Sequence, residues 1–168
     1  ADNQERKKLW AAMAIVAELK KRGRKIRHII VTRVETPYGY KLRDFALEFG
    51  TNQETMTMNR GMPAENLWSL YALSDCFLLT SKGEGLGLPV MESMACGLPV
   101  VATDTGAIHE LLQDGRGFLI PAEYTFRDVW LNSKRDMIDI EYATTIIEGL
   151  IDKDTNNVNV VHWDPREI

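Results

Sequence analysis

Apolar residues recur along the chain at helical and at strand spacing in turn. Leu9, Met13, Val16 and Leu19 form one face of a helix over residues 5–22, with Ile15 also four residues from Leu19, and Gly23 stops it. The β-branched run Ile26–Val34 predicts a strand, and Lys41–Phe49 predicts a short helix closed by Gly50. Thr55–Asn59 reads as a strand, and Glu65–Leu73, with Leu67, Leu70 and Tyr71, as a helix. Cys76–Thr80 is an apolar run of strand length. Pro89–Cys96 is a helix with proline at its first position and Gly97 just past its last turn. Val100–Ala102 and Phe118–Ile120 predict strands on either side of a short helix, Ala107–Leu112. Glu123–Arg135 reads as an excursion loop and Asp136–Ile151 as a last long helix. Short apolar strands, each separated from the next by a helix, predict an α/β fold: a Rossmann-like parallel sheet covered by helices on both faces, here without a strand ahead of the first helix.

The 168 residues suit a single domain with its own core, and 45% hydrophobic with 26% charged residues is the balance of an ordinary globular chain. Cys76 and Cys96 are too few for a disulfide scaffold and form no CxxC pair. No apolar run reaches the ~20 residues of a membrane span. Residues 1–8 are polar and charged, unlike a signal peptide, so a cytoplasmic location is the expectation. Charge is unevenly spread: residues 1–45 carry twelve Lys and Arg against five Asp and Glu, residues 46–168 eight against nineteen. The basic cluster Lys20, Lys21, Arg22, Arg24, Lys25 and Arg27 reads as a solvated helix face and a charged turn. It is one turn long with no aromatic ladder, so no nucleic-acid partner is expected. His28, His109 and His162 are scattered along the chain, and no metal site is expected.

The chemistry concentrates in Ser81-Lys82-Gly83-Glu84-Gly85-Leu86-Gly87-Leu88-Pro89-Val90-Met91-Glu92. Glycines between a strand end and a helix start let backbone come close to a ligand. The helix start adds free N–H groups and partial positive charge, which together suit a phosphate. The position, at the carboxyl end of a parallel strand, is where open α/β sheets bind ligands. Glu84 and Glu92 flank it. Carboxylates accept hydrogen bonds, so two of them beside an anion site point to hydroxyl-rich ligand parts on either side of a phosphate, the layout of a sugar nucleotide. The competing structural reading is a tight turn with a helix-capping Glu84 and a surface Glu92.

Glu84 to Glu92 resembles the E-x7-E motif of retaining glycosyltransferases with the GT-B fold, in particular family four, the glycosyl transferases group 1. The likeness covers residues 62–121, from Ala72-Leu73-Ser74-Asp75 through TSKGEGLGLPVMESMACGLPVVATDTGAIHELLQDGRGFLIP, and more loosely Asn3-Gln4-Glu5-Arg6-Lys7-Lys8. It implies the donor-binding, C-terminal half of such an enzyme, transferring a sugar from a nucleotide-diphosphate sugar to an acceptor hydroxyl. Glu84 would be the catalytic-site carboxylate near the anomeric carbon. Gly85, Leu86, Gly87 and Leu88 would offer backbone N–H groups to sugar and phosphate, Glu92 would hold the ribose, Lys7 would neutralise the diphosphate, and Met62 would line the base pocket. No cofactor is implied, and UDP or GDP is the expected donor nucleotide. In three places the chain departs from the family pattern: Asp2 stands where the family places an arginine, Leu86 replaces a common phenylalanine, and Thr105-Gly106-Ala107 replaces a threonine-glycine-glycine.

Residues 1–168 are therefore expected to be one nucleotide-sugar-binding domain of a larger two-domain enzyme. Asp2 and Asn3 are N-cap residue types directly before the first helix. Residues 152–168 read as a truncated segment leading to a helix that crosses to the other domain, since Asp164-Pro165-Arg166-Glu167 is a helix start. The glycan, lipid or small-molecule acceptor would be held by that other domain, with peripheral membrane association of the parent, and this chain alone would be inactive. The alternative is a non-catalytic nucleotide-sugar-binding module.

Overall fold

The computed structural model describes residues 3–127 and 134–152. A 3-10 turn, Glu5–Lys7, precedes α1, Leu9–Lys21. Then follow β1 (His28–Thr32), α2 (Leu42–Glu48), β2 (Thr55–Asn59), α3 (Ala64–Ala72), β3 (Phe77–Leu79) and α4 (Leu88–Ala95). The remaining elements are β4 (Val100–Thr103), α5 (Ala107–Leu112), β5 (Phe118–Ile120), β6 (Ala122–Arg127), β7 (Lys134–Ile138) and α6 (Ile140–Asp152).

β3, β4 and β5 form a parallel sheet in that order, with Phe77 opposite Val100 and Val101 opposite Phe118. All four residues of β4 are buried, as befits the middle strand. Its side chains alternate between two cores. Val101 joins Ala11, Ile15 and Leu19 of α1 and Ala143, Ile147 and Leu150 of α6. Val100 and Ala102 join Val90 and Met94 of α4 and Ile108 and Leu112 of α5. That alternation places helices on both faces of the sheet, the three-layer arrangement expected for short apolar parallel strands. β1 and β2 form a second parallel piece, and Ile30 packs with Met13 of α1 and Leu42 and Ala46 of α2. α1 thus contributes to the cores of both parallel pieces.

Three expectations change. The helix over residues 5–22 is broken at Lys8, which sits in the left-handed region at φ 49°. The apolar stripe begins at Leu9 and conceals this break. Its cause is long-range: the carbonyls of Lys7 and Lys8 accept the Thr80 hydroxyl, each at 3.0 Å. Asn3 is no helix cap. It is buried, its side-chain amide donates to the Tyr40 carbonyl at 2.7 Å, and its side-chain carbonyl accepts the Tyr40 N–H at 3.0 Å. The third change is in the expected loop Glu123–Arg135 and the first residues of the expected last helix, which contain the antiparallel hairpin β6–β7, so α6 starts at Ile140. Cross-strand pairing organises this segment. Residues Ala122–Arg127 are half-buried or exposed throughout and carry no clear apolar alternation.

Four residues of the basic cluster are taken up by ion pairs. Lys20 meets Glu54, Lys21 meets Glu18, Arg22 meets Glu18, Glu141 and Glu148, and Arg24 meets Glu148. Its residues tie α1 to α6 and to the start of β2. Asp2, His162 and the Asp164–Glu167 helix start lie outside the described residues. Among those residues no helix is long and apolar enough to cross a membrane.

Candidate functional site

The glycine loop leaves the carboxyl end of β3 and enters α4 through Gly87, the N-cap residue, at φ 76° and ψ 35°. The Gly87 carbonyl accepts the N–H groups of Val90 (2.8 Å) and Met91 (3.2 Å), which starts the helix. Pro89 is the second helical residue rather than the first. Gly97 closes α4 in the left-handed region, as expected. A Cβ on Gly87 would lie 2.7 Å from Ile108 Cδ1 and 3.0 Å from Leu111 Cδ1, so α5 packs directly against the loop. A Cβ on Gly85 would meet nothing within 4 Å. Among the described residues, the N–H groups of Gly85, Leu86, Gly87 and Leu88 donate to no carbonyl. Leu86 and Leu88 have exposed side chains. The result is a row of uncommitted N–H donors at a helix tip, where backbone dipole favours an anion.

Glu84 does not cap the helix. Its side chain is only 8% exposed and holds two cations, one on each oxygen: Lys7 Nζ donates to Oε1 and Arg6 Nη1 to Oε2 at 3.3 Å. Arg6 also donates to the Gly83 carbonyl at 2.9 Å. Burial pushes the Glu84 carboxyl up. The Lys7 and Ser81 hydrogen bonds and the charges of Lys7 and Arg6 outweigh that and hold it below the usual carboxylate range. Glu84 is therefore an anion at neutral pH.

The turn that carries Arg6 and Lys7 is laced to this loop along its length. Lys82 N–H donates to the Arg6 carbonyl at 2.8 Å, and the Ser81 hydroxyl reaches the same carbonyl at 3.3 Å. The buried Lys82 ammonium meets both oxygens of Glu5, at 2.7 and 2.6 Å, and lies 4.9 Å from the Phe126 ring centroid on β6. The break at Lys8 lets this turn lie across the loop instead of continuing α1.

Glu92 is the fifth residue of α4, one turn in, and half-buried. It accepts a hydrogen bond from the Tyr71 hydroxyl of α3 at 3.0 Å. Burial and that bond push the Tyr71 phenol well above its ordinary value, so it stays a donor. Met62 lies half-buried beyond the carboxyl end of β2, between Gly61 and α3. The structure thus joins Glu84 to Lys7 and seats both carboxylates on the β3–α4 unit. Met62 belongs instead to the β2–α3 connection.

Arg6, Tyr71, and the Glu5–Lys82 pair were not singled out as site residues by the sequence. The run Arg6-Lys7-Lys8 was the signal available for Arg6. Among the described residues no three His, Cys, Asp or Glu gather as a metal site would require.

Residues 4–126 match the profile of the family described as glycosyl transferases group 1. Over 87 residues the chain is 36% identical to the GDP-mannose-dependent alpha-(1-6)-phosphatidylinositol monomannoside mannosyltransferase of Mycolicibacterium smegmatis, covering 48% of this chain and 22% of that one. Over 51 residues it is 45% identical to the N-acetyl-alpha-D-glucosaminyl L-malate synthase of Bacillus anthracis, covering 30% of this chain and 13% of the relative. The matches span less than a quarter of either relative's length. The C-terminal domain of a glycosyl transferase group 1 family protein from Francisella tularensis superposes with a TM-score of 0.70 at 20% identity, over 90% of this chain and 72% of that domain. An Anabaena protein solved in complex with UDP superposes at 0.62 with 22% identity, over 89% of this chain and 38% of that one. These likenesses establish the fold as that of the C-terminal half of GT-B glycosyltransferases.

Proposed function

The chain belongs to the glycosyl transferases group 1 family, and from that premise we propose that it is the donor-binding domain of a retaining glycosyltransferase, taking a nucleotide-diphosphate sugar and serving its transfer to an acceptor hydroxyl. The observation that carries this reading is the uncommitted N–H row Gly85–Leu88 at the tip of α4, beside two cations that converge on Glu84.

The chemistry follows from those groups. The diphosphate lies against the N–H row and the α4 tip, with Lys7 beside it. As the bond between the anomeric carbon and the phosphate oxygen lengthens, negative charge grows on the leaving diphosphate. Fixed donors then stabilise the transition state more than the ground state; each such donor is commonly worth ~3 kcal/mol. Glu84 supports the sugar, which gains oxocarbenium character, and the acceptor hydroxyl gives its proton to a phosphate oxygen on the same face, which retains configuration. Glu92, oriented by Tyr71, accepts the ribose hydroxyls. Met62 lines the base pocket. No step uses a metal.

UDP and GDP are the favoured donor nucleotides; the Mycolicibacterium relative is described as GDP-mannose-dependent, and the Anabaena structure holds UDP. The acceptor, a glycan, lipid or small molecule, is held by a second domain of the full enzyme, so the 168-residue chain binds donor without turning it over. A thermal-shift panel of UDP-, GDP- and ADP-sugars tests the reading. The matching base raises the melting temperature in a concentration-dependent way. A panel with no saturable rise overturns it.

A further inference from the structure

The parallel strands fall into two pieces, β1–β2 and β3–β4–β5, and among the described residues no ladder joins β1 to β3. In an extended strand, successive residues turn their backbone N–H and C=O to opposite sides. The His28 N–H donates to the Glu54 carbonyl at 2.8 Å and the Thr32 carbonyl accepts the Arg60 N–H at 2.9 Å. The backbone of Ile29, between them, therefore turns away from β2. The Phe77 N–H donates to the Pro99 carbonyl at 2.8 Å, so the backbone of Leu78 turns away from β4.

One helix lies over both of these edges. Met13 of α1 packs on Ile30 of β1, and the core built on Ile15 and Leu19 of α1 takes in Leu78 of β3. A helix is ~10–12 Å across with its side chains, and neighbouring strands stand ~4.8 Å apart, so α1 spans β1 and β3 with room for one strand between them. At the carboxyl end of this gap the chain itself is already in place. Asn3 Nδ2 donates to the carbonyl of Val34, just past β1, at 3.4 Å, and the Arg6 carbonyl accepts the N–H of Lys82, just past β3, at 2.8 Å.

The surfaces around the gap are apolar and incompletely covered. All three residues of β3 are only half-buried, whereas all four of β4 are buried. Ile29 and Met56, partners across β1 and β2, are 36% and 48% exposed. α3 buries Tyr71 alone and leaves Trp68 exposed. Sheets protect open edges with lysine, proline or a bulge. His28-Ile29-Ile30-Val31-Thr32 and Phe77-Leu78-Leu79 carry none of these.

We infer that the gap between β1 and β3 is a docking site for one apolar β-strand, parallel to both, that runs into Asn3. Its direction names the occupant. A parallel strand ends where β1 and β3 end, and Asn3 lies there, so the strand is continuous with this polypeptide and is not lent by a second copy. Its composition follows from its place: a middle strand of a parallel sheet, covered on both faces, is an unbroken run of Val, Ile or Leu. About five residues, at ~3.3 Å each, match the length of β1. Docked, it joins the two pieces into one sheet. The inference rests on sheet geometry and stands apart from the donor-binding reading.

The test extends the 168-residue chain ahead of Ala1 with Val-Val-Ile-Val-Ile. The comparisons are the unextended chain, an extension with proline at its centre, and Ser-Gly-Ser-Gly-Ser. Amide hydrogen exchange at Ile29 and Leu78, thermal melting and sedimentation give the readout. The apolar extension slows exchange at both amides at least about tenfold and raises the melting temperature by about 5 °C in a monomer. The other two extensions do neither, since proline withdraws a ladder donor and serine-glycine supplies no apolar surface. The same apolar strand, added as a free peptide with a lysine tail, protects the same amides, which keeps the test decisive where the fusion is insoluble. An apolar strand that leaves both amides exchanging as before, fused or free, overturns the inference. So does equal protection by the proline extension, or slow exchange at both amides in the unextended monomer. Protection that appears only when the unextended chain dimerises makes a second copy the occupant and overturns it as well.

Discussion

Gly87 and Gly85 sit two residues apart in the same loop, and their replacement by alanine separates architecture from ligand contact. Gly87 adopts φ 76°, where an L-residue pays ~1–2 kcal/mol. A new Cβ there would press on Ile108 Cδ1 at 2.7 Å and Leu111 Cδ1 at 3.0 Å. Ile108 is fully buried, so it can turn aside only by disturbing Val90, Val100 and Leu112 around it. Overfilling such a core costs ~1–3 kcal/mol. Gly87→Ala therefore loses about 2–5 kcal/mol, a large share of the ~5–15 kcal/mol that stabilises a domain. Gly85 has no such φ and an added Cβ meets nothing within 4 Å, so Gly85→Ala changes stability by less than ~0.5 kcal/mol. The same methyl group nevertheless stands on the N–H row and weakens nucleoside diphosphate binding. Urea denaturation followed by tryptophan fluorescence reads the stabilities, and titration reads the binding. A Gly87→Ala chain as stable as wild type refutes the packing argument; a Gly85→Ala chain that binds as wild type refutes the backbone-donor argument.

Glu92→Ala weakens nucleoside diphosphate binding by ~1.5–3 kcal/mol through lost charge-assisted bonds, while pyrophosphate binding is unchanged. Tyr71→Phe acts in the same direction and more weakly, because it frees the carboxylate without removing it; equal losses for nucleoside diphosphate and pyrophosphate would dismiss the ribose role. Burial pushes His28 down to about 4, from an ordinary 6.5. The unfolded chain therefore takes up a proton below pH 6.5 that the folded chain refuses, and stability falls from pH 6.5 to about 4 by up to about 3 kcal/mol. Urea midpoints at pH 7.5 and 4.5 check this: His28→Gln shows the smaller drop, and an equal drop in both proteins contradicts the assignment.

What the sequence disclosed follows from the range of the forces involved. α4 was legible because local chemistry punctuates it, Pro89 at its entry and Gly97 at φ 74° past its end. β4 was legible because burial on both faces demands an unbroken apolar run. The break at Lys8 was not, since the stripe from Leu9 to Leu19 reads the same with or without it. The hairpin was hidden for the opposite reason: β6 is largely open on both sides and is held by its partner, as in the hydrogen bond of Thr125 to Asp136 at 2.8 Å. The carboxylates of the site could be found because they share a segment with the glycines. Arg6 meets Glu84 across 78 residues and Tyr71 meets Glu92 across 21, so their roles exist only after folding.

The central claim is that the N–H groups of Gly85, Leu86, Gly87 and Leu88 receive the diphosphate of a nucleotide sugar. Amide chemical shifts of the isotopically labelled chain, titrated with UDP-sugar and GDP-sugar, read those groups one by one. One of the two donors gives saturable shifts centred on Gly85–Leu88, with Arg6 and Lys7 moving along the same binding curve. Saturation that leaves these four amides unmoved, or shifts confined to the cleft of ≈ 320 Å³ lined by Tyr40, Lys41, Asp44, Phe45 and Glu48, would contradict it.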